Sequence, residues 1–297
     1  MIQRTFTFKG VKLASYSWQA DAETQRLVVV HGMAEKAVRY DRFANALNAQ
    51  GISVFALDLP GHGATSEENG LRGSFAPFDW NGVIDVIEAY LLEVRDGQSP
   101  LILFGHSMGS ILSMGLAERK NVALDKLIIS AFPPHPGALV HAGKIMGSIM
   151  GKVFGTETAS PFMDGLTFGK FSKGISSPRT KFDWLSRETQ EVDWYINDPD
   201  CGEVFTIGFF TNLARMTDAV HKNLVELPTE LPILYIAGED DPVVEYQKGA
   251  EKVVAAIQQQ TSLLTQKIYP QGRHELLNDS CAQEVTQDIL SFLKQPS

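Results

Sequence analysis

Hydrophobic and polar residues alternate near the start of the chain, at residues 5–8 and 11–18, with Lys9-Gly10 between the two stretches. This two-residue period predicts an antiparallel hairpin at the edge of a sheet. Shorter, unbroken apolar runs follow, and such runs are typical of strands buried on both faces. These runs lie at residues 27–30, 52–57, 101–104, 124–130, 231–237 and 263–269.

Helical patterns separate most of these strands. The helical stretches lie at residues 38–49, 76–95, 110–120, 245–258 and 276–293. Strands that alternate with helices pair in parallel and carry helices on both faces of the sheet. The sequence therefore predicts an α/β fold with a mainly parallel, eight-stranded sheet.

The alternation breaks at Ala131. Residues 132–228 contain helical patches, glycines and aromatic residues, but no clear buried strand. We therefore expect a helical cap at residues 132–228, inserted into a core domain made of residues 1–131 and 229–297.

Within this cap, small and large apolar residues recur along one predicted helix at every fourth position. The row of small residues is Gly143, Gly147, Gly151 and Gly155, and the parallel row of large ones is Met146, Met150 and Phe154. One hypothesis is that the glycines pack against the core domain. The other is that the methionines and the phenylalanine bind substrate by lining a channel for an acyl chain.

Composition limits the partners and the compartment. The 297 residues are 44% hydrophobic and carry a formal net charge of −9, which argues against electrostatic binding of nucleic acid or an anionic membrane. No apolar run is long enough for a transmembrane segment, and residues 1–18 lack the apolar centre of a signal peptide. Cys201 and Cys281 stand far apart, so neither a disulfide framework nor a zinc site is predicted. We expect a cytoplasmic protein.

The strongest chemical motif follows the apolar run at residues 101–104. Gly105-His106-Ser107-Met108-Gly109 matches the pattern G-x-S-x-G between a strand and a helix. In that context the pattern describes a nucleophile elbow, a strained turn that raises a serine hydroxyl above the edge of a sheet. Ser107 is the predicted nucleophile.

A serine hydroxyl needs a base, and the base needs an acid that holds its tautomer, in the chain order serine, acid, histidine. Of the histidines after Ser107, three lie in the cap: His135, His141 and His221. His274 alone follows the last predicted strand, where the loops of a parallel sheet deliver catalytic groups. We predict that His274 is the base.

Three carboxylates follow the strand at residues 231–237, in Gly238-Glu239-Asp240-Asp241-Pro242. Pro242 favours an extended backbone at Asp241, which suits a side chain projected from a turn. Asp241 is therefore the predicted acid, Asp240 is the alternative, and Glu239 is interpreted as a surface charge.

Acyl transfer also needs an oxyanion hole, formed by two backbone N–H groups. One predicted donor is Met108, directly after the nucleophile. The other lies in the loop after residues 27–30, where Gly32 permits a tight turn and Met33 presents its N–H; Ala34 is the alternative.

Two cofactor motifs are incomplete. Residues 58–66 nearly match a dinucleotide-binding loop, but Ser66 stands where the third glycine belongs. His274-Glu275 begins a zinc-binding pattern that fails at Asn278, where a second histidine would be required. No cofactor and no metal are predicted.

Five motifs together resemble those of the monoacylglycerol lipase and lysophospholipase group of α/β hydrolases. They are His31-Gly32-Met33-Ala34-Glu35 with Arg39-Tyr40, then Asp58-Leu59-Pro60-Gly61-His62-Gly63, residues 105–109, residues 238–241, and Arg273-His274-Glu275. The resemblance implies the α/β-hydrolase fold, with Ser107, Asp241 and His274 as a triad and Met33 and Met108 as oxyanion donors. It also implies a structural role for His62. In the cap, Arg179 to Ser186 and Asp198 to Gly202 look like bacterial lysophospholipases.

The expected function is cleavage of carboxylic esters through an acyl-enzyme, with a monoacylglycerol, a lysophospholipid or a small hydrophobic ester as the substrate. Two alternatives stay open: an aminopeptidase-like amide hydrolase on the same core, and a catalytically silent binding module. A dehalogenase is disfavoured, because its nucleophile would be a carboxylate at position 107. The expected partner is a small ester rather than a nucleic acid, and association into a homodimer is compatible with the sequence.

Overall fold

One sheet of eight strands forms the centre of the molecule. The structure is a computed structural model that describes residues 1–295; Pro296 and Ser297, which were assigned to the core domain, lie outside the described residues. The strands are β1 (Ile2–Phe8), β2 (Val11–Trp18), β3 (Gln25–Val30), β4 (Ile52–Leu57), β5 (Leu101–His106), β6 (Lys126–Ser130), β7 (Ile233–Gly238) and β8 (Leu264–Tyr269).

The strands lie in the order β1-β2-β4-β3-β5-β6-β7-β8. β2 pairs antiparallel with both β1 and β4, whereas all the other neighbours are parallel. Every residue of β4, β5, β6 and β7 is buried, as expected for strands covered on both faces. Because parallel strands end at one edge, the loops after β3, β5, β7 and β8 converge there.

Helices cover both faces of the sheet and bury two separate hydrophobic layers. The core helices are α1 (Asp41–Asn48), α2 (Gly63–Asn69), α3 (Trp80–Val94), α4 (Met108–Arg119), α9 (Tyr246–Gln258) and α10 (Ala282–Leu293). Along β5, Leu103 faces the layer under α3, α4 and α9, while Ile102 and Phe104 face the layer under α1 and α10. The predicted α/β fold with a mainly parallel, eight-stranded sheet is confirmed.

The chain between β6 and β7 is helical. Its α-helices are α5 (Ala138–Phe154), α6 (Pro161–Phe168), α7 (Thr189–Asn197) and α8 (Ile207–Asn223). Outside the eight strands, the described residues form one isolated β-bridge, between Ala159 and Thr206. α8 joins this helical cap to the core, because its buried residues Phe210 and Val220 belong to the hydrophobic layer under α3 and α4.

The glycines of α5 face α8, a helix of the same cap, rather than the core. A Cβ atom placed on Gly147 would lie 2.2 Å from Thr211 Oγ1 of α8, and one on Gly143 would lie 3.7 Å from Ala214 Cβ. Small residues therefore allow the two helices to approach closely. The glycines form a packing face as expected, but the partner of this face is α8 and not the core domain.

The opposite face of α5 is apolar and open. Its large side chains are each more than half exposed: Leu139, Ile145, Ile149 and Val153. Phe162 and Leu166 of α6 are exposed as well. Within residues 1–295, no helix is both long enough and apolar enough to cross a membrane.

Two of the differences from the predicted elements have a clear local cause. The loop at residues 58–66 contains the start of α2, because the buried Asp58 carboxylate accepts hydrogen bonds from the N–H groups of Ala37 and Ala64, at 2.8 and 2.9 Å, and so fixes the turn. The predicted helix at residues 276–293 is broken before α10. There Asp279 is extended, and its carboxylate binds Arg187 Nε at 2.6 Å and the N–H of Arg273 at 3.1 Å.

Candidate active site

Ser107 lies at the sharp turn between β5 and α4. Its backbone has φ 53° and ψ −118°, a strained conformation for a residue with a side chain. A Cβ atom on Gly105 would lie 2.4 Å from the carbonyl oxygen of Gly109, and one on Gly109 would lie 2.0 Å from that of Val30. Strand and helix thus meet so closely that only glycine fits on either side of Ser107.

The loops after β7 and β8 bring together a histidine and a carboxylate. Asp241 Oδ2 lies 2.8 Å from His274 Nδ1, and both side chains are almost fully buried. The other oxygen of Asp241 accepts the N–H of Val243 at 2.8 Å, which fixes the carboxylate. Asp240 is exposed, and Glu239 Oε2 accepts the N–H of Gln271. Of the three candidate acids, Asp241 is therefore the one that contacts His274.

His274 lies between two aromatic rings. The ring centre of His106 is 4.7 Å away and that of Trp184, from the cap, is 5.1 Å away. Burial acts to lower the pKa of His274, but the charge and hydrogen bond of Asp241, helped by Glu275 and Glu35, outweigh burial and raise this pKa above its ordinary value. Burial, with His274 close by, lowers the pKa of His106 well below its ordinary value, so His106 is neutral.

Ser107 and His274 line the same cavity, although no hydrogen bond joins Ser107 Oγ to His274 Nε2 in the described chain. Because Asp241 engages Nδ1, Nε2 is the nitrogen that remains for Ser107 or a substrate. Such contacts commonly tighten only when a substrate is bound.

The loop after β3, residues 31–35, is called the oxyanion loop here. The N–H of Gly32 donates to Glu35 Oε1 at 2.6 Å, so it does not point into the cavity. His31 holds the loop through Nδ1, which lies 2.7 Å from the carbonyl oxygen of Gly32, while its Nε2 accepts the N–H of Leu59. Met33 and Met108 both line the cavity, and Met108 is the first residue of α4, where backbone N–H groups lack helical partners.

The cavity above Ser107 has a volume of about 470 Å³, within the range of small-molecule sites. Ile111 of α4 and Leu213 of α8 form an aliphatic part of its wall. Aromatic side chains from the cap form another part, and they are Phe168, Phe171, Phe182, Trp184 and Tyr195. Such a lining favours a largely apolar ligand.

Glu203 is a polar residue of this cavity that the sequence analysis missed. Both of its carboxylate oxygens are buried without a hydrogen-bond partner among the described residues, and burial raises the pKa of Glu203 to about 7. The preceding N–H, that of Gly202, donates to the carbonyl oxygen of Ala34 in the oxyanion loop at 3.0 Å. Long-range contacts such as this one and those of Lys36 with Asp198 and Asp200 bring Glu203 to the site, and no local sequence signal distinguishes it from a surface glutamate.

The predicted acyl-channel residues lie elsewhere. Met146 and Met150 pack against the main hydrophobic layer, Phe154 is exposed, and none of the three belongs to the described wall of the cavity. The glycine face of α5 turns toward α8, which carries the wall residue Leu213, so α5 itself lies one layer behind the cavity. The described wall includes Leu213 of α8, and the substrate-binding role of Met146, Met150 and Phe154 stays a prediction.

Two further observations concern the remaining predictions. His62 is fully buried between the rings of His31 and Phe205, each about 5.0 Å away, in keeping with a structural role. Among residues 1–295, no group of three or more His, Cys, Asp or Glu side chains is arranged to hold a metal ion.

A strained serine between the fifth strand and its helix, with a buried histidine–aspartate pair at the ends of neighbouring strands, defines the α/β-hydrolase class. Residues 21–281 match the Hydrolase_4 family model, described as serine aminopeptidase, S33. The chain belongs to this family.

Relatives and solved structures agree with that assignment. The chain is 27% identical to monoglyceride lipase of Mus musculus over 276 residues, which cover 92% of this chain and 82% of the mouse protein. It is 25% identical to monoacylglycerol lipase of Mycolicibacterium smegmatis, covering 96% and 93% of the two chains. The structure of a thermostable carboxyl esterase from Bacillus coagulans has a TM-score of 0.91 with 24% identity, covering 98% of this chain and 97% of the esterase. This last likeness shows the fold.

Proposed function

We propose that this protein is a serine hydrolase that forms an acyl-enzyme on Ser107. The chain is a carboxylic ester hydrolase, as its monoglyceride lipase relatives are by name. The observation that carries the proposal is the strained Ser107 in a largely apolar cavity that it shares with the His274–Asp241 pair.

In the proposed mechanism, Ser107 Oγ attacks the ester carbonyl while His274 Nε2 accepts the hydroxyl proton. Asp241 holds Nδ1 protonated and stabilises the imidazolium that forms. The N–H groups of Met33 and Met108 donate to the oxyanion, and His274 returns the proton to the departing alcohol. Water then attacks the acyl-enzyme with His274 again as the base, which releases the acid and restores Ser107.

We assign the acyl chain to the aliphatic part of the cavity wall, beside Ile111 and Leu213. Each methylene that is buried there contributes about 0.8 kcal/mol, so this wall selects for chain length. Glu203 is the proposed partner of the alcohol part, because a buried carboxyl without a partner gains most from a substrate hydroxyl. Monoacylglycerols, which carry free hydroxyls beside the ester, fit both features, and lysophospholipids fit the acyl wall.

Three assignments complete the proposal. Residues 132–228 form the cap, and residues 1–131 with 229–297 form the core. The compartment is the cytoplasm, since Cys201 and Cys281 are both free thiols, the first buried and the second half-buried. A homodimer is the assembly to test by sedimentation.

The test uses wild-type protein and Ser107→Ala with monoacylglycerols, lysophospholipids, p-nitrophenyl esters and aminoacyl amides. We expect ester turnover in the wild type and none in Ser107→Ala, with thermal unfolding little changed. Glu203→Leu should lower the rate for a monoacylglycerol more than that for a p-nitrophenyl ester of the same chain length. Equal losses on both substrates would remove Glu203 from the alcohol site.

A fluorophosphonate that labels activated serines separates the alternatives. Labelling of folded wild-type protein, absent from Ser107→Ala, supports the nucleophile. Absence of an adduct in folded wild type would favour a binding module. Turnover of aminoacyl amides in preference to all esters would favour the aminopeptidase alternative.

A further inference from the structure

Three parts of the active site meet at one buried cation, Arg39. Its guanidinium makes a hydrogen-bonded ion pair with Glu275, the residue after His274. Its Nε lies 3.5 Å from Glu35 Oε2 of the oxyanion loop, an ion pair without a hydrogen bond. Tyr195 of the cap lies against the guanidinium, 5.1 Å from ring centre to Cζ. Arg39 is 10% exposed as a side chain, and both carboxylates are less exposed still.

Glu35 fixes the oxyanion loop from within. Its Oε1 accepts the N–H of Gly32 at 2.6 Å and the hydroxyl of Tyr40 at 3.0 Å. The Gly32 bond fixes the peptide immediately before the one that carries the Met33 N–H. A shift of Glu35 would therefore move that proposed oxyanion donor directly.

Glu275 fixes the loop that carries the base, residues 270–275, which is called the histidine loop here. Besides Arg39, its carboxylate accepts from Asn278 Nδ2 at 3.2 Å. Its backbone N–H donates to the carbonyl oxygen of Leu185 in the cap at 2.8 Å, and that of His274 donates to Trp184 at 3.3 Å. The contacts of Glu275 therefore help to fix the position of His274.

We propose that Arg39 is a positioning residue that holds the oxyanion loop and the histidine loop at the separation that acyl transfer requires. The planar guanidinium can bind two carboxylates in fixed directions at once, which an ammonium group does much less well. Preorganised donors stabilise an oxyanion only when they are already in place, and a displacement of about 1 Å can cost about 100-fold in rate. Arg39 is not among the described residues that line the cavity.

The inference rests on the proposed function, and its test reports on both separately. Kinetic constants for p-nitrophenyl acetate are measured for wild type, Arg39→Met, Arg39→Lys and Glu35→Gln, with thermal unfolding of each. We expect Arg39→Met to lower kcat by up to about 100-fold with little change in KM, because the acetyl ester needs few binding contacts. Arg39→Lys should recover only part of the loss.

The pH dependence of kcat/KM gives a readout that a purely structural role would not move. The charges of Asp241, Glu275 and Glu35 act on the pKa of His274, and the ring of His106 lies against it. Arg39→Met leaves two carboxylates without their cation and should move the acidic limb to higher pH. Glu35→Gln removes one of these negative charges and should move the limb to lower pH.

Arg42→Met is the matched control. Arg42 is 59% exposed, pairs with Glu191 of the cap at 2.6 Å and is expected to keep wild-type kcat. The positioning role would be overturned by an unchanged kcat in folded Arg39→Lys and Arg39→Met. It would also be overturned if the acidic limbs of the pH profiles of Arg39→Met and Glu35→Gln shift in the same direction. If Arg39→Met does not fold, the kcat of Arg39→Lys and the pH profile of Glu35→Gln test the positioning role instead. A wild type without esterase activity would instead refute the proposed function.

Discussion

At the scale of single residues, burial separates two neighbouring aspartates that the sequence could only rank. Asp241 is fully buried and contacts His274, whereas Asp240 is exposed. The preference of the residue before Pro242 for an extended backbone pointed to Asp241. The contact of Asp241 with His274 was therefore predictable from a local backbone rule.

Asp241→Asn should lower kcat about 10⁴-fold, because an amide favours the wrong tautomer of His274. Asp240→Asn is the matched control and should leave kcat close to that of the wild type. Both constants are measured with a p-nitrophenyl ester. The reverse ranking would transfer the role of the acid to Asp240.

The rate should rise with pH as His274 loses its proton, since only neutral imidazole can accept the proton of Ser107. The surrounding carboxylates raise the pKa of His274, so the midpoint should lie above the ordinary value of 6.5. Asp241→Asn should move the midpoint to lower pH. The profile of kcat/KM between about pH 5 and 9 measures both midpoints, and a flat wild-type profile would argue against His274 as the base.

At the scale of elements, α8 supplies cavity wall and α5 supplies support. Leu213→Trp should fill part of the aliphatic wall and reduce the rate for long acyl chains relative to acetate, by about fourfold for each methylene that no longer fits. Met150→Trp, on α5 outside the wall, should leave this preference unchanged. A series of p-nitrophenyl esters measures the chain-length preference. If this preference changes in Met150→Trp and not in Leu213→Trp, the acyl chain binds beside α5.

The contact between α5 and α8 can be tested with two glycines of one face. Gly147→Ala would place a methyl group against Thr211 and should cost about 1–3 kcal/mol of unfolding free energy. Gly143→Ala has room at 3.7 Å and should gain up to about 1 kcal/mol from helix propensity. Denaturant titrations compare the two, and equal effects would contradict the packing.

Strands were more predictable than cap helices, for a physical reason. The central strands β4, β5, β6 and β7 are buried on both faces, so their apolar runs mark them directly. The helices of the cap have apolar residues on both packed and open faces, and the same pattern fits a channel, a packing face or an exposed surface. The positions of Met150 and Glu203 could not be read from the sequence, because their environments depend on contacts with α8 and with the oxyanion loop.

At the scale of the whole molecule, the open face of α5 makes the surface unusually apolar in one place. Contiguous exposed apolar surface lowers solubility and adsorbs hydrophobic probes. Replacing Ile145 and Ile149 by serine should reduce the fluorescence of a bound hydrophobic dye without changing turnover of p-nitrophenyl acetate. Equal dye binding by the variant and the wild type would mean that the dye binds to a surface other than the open face of α5.

The connections of the cap limit the design of chimeras in which caps are exchanged between related hydrolases. Its two ends join opposite edges of the sheet, since the chain leaves β6 after Ser130 but enters the parallel strand β7 at Ile233, which pairs with Leu127 near the start of β6. A foreign cap must therefore also supply the chain that crosses from one edge to the other. In addition, Arg273 Nη1 donates to the carbonyl oxygens of Asp183 and Ser186, and the ring of Trp184 lies against His274. A graft that omits residues 183–186 would keep the fold and leave the base without one of its walls. Chimeras should therefore place their junctions so that this short segment stays with the core.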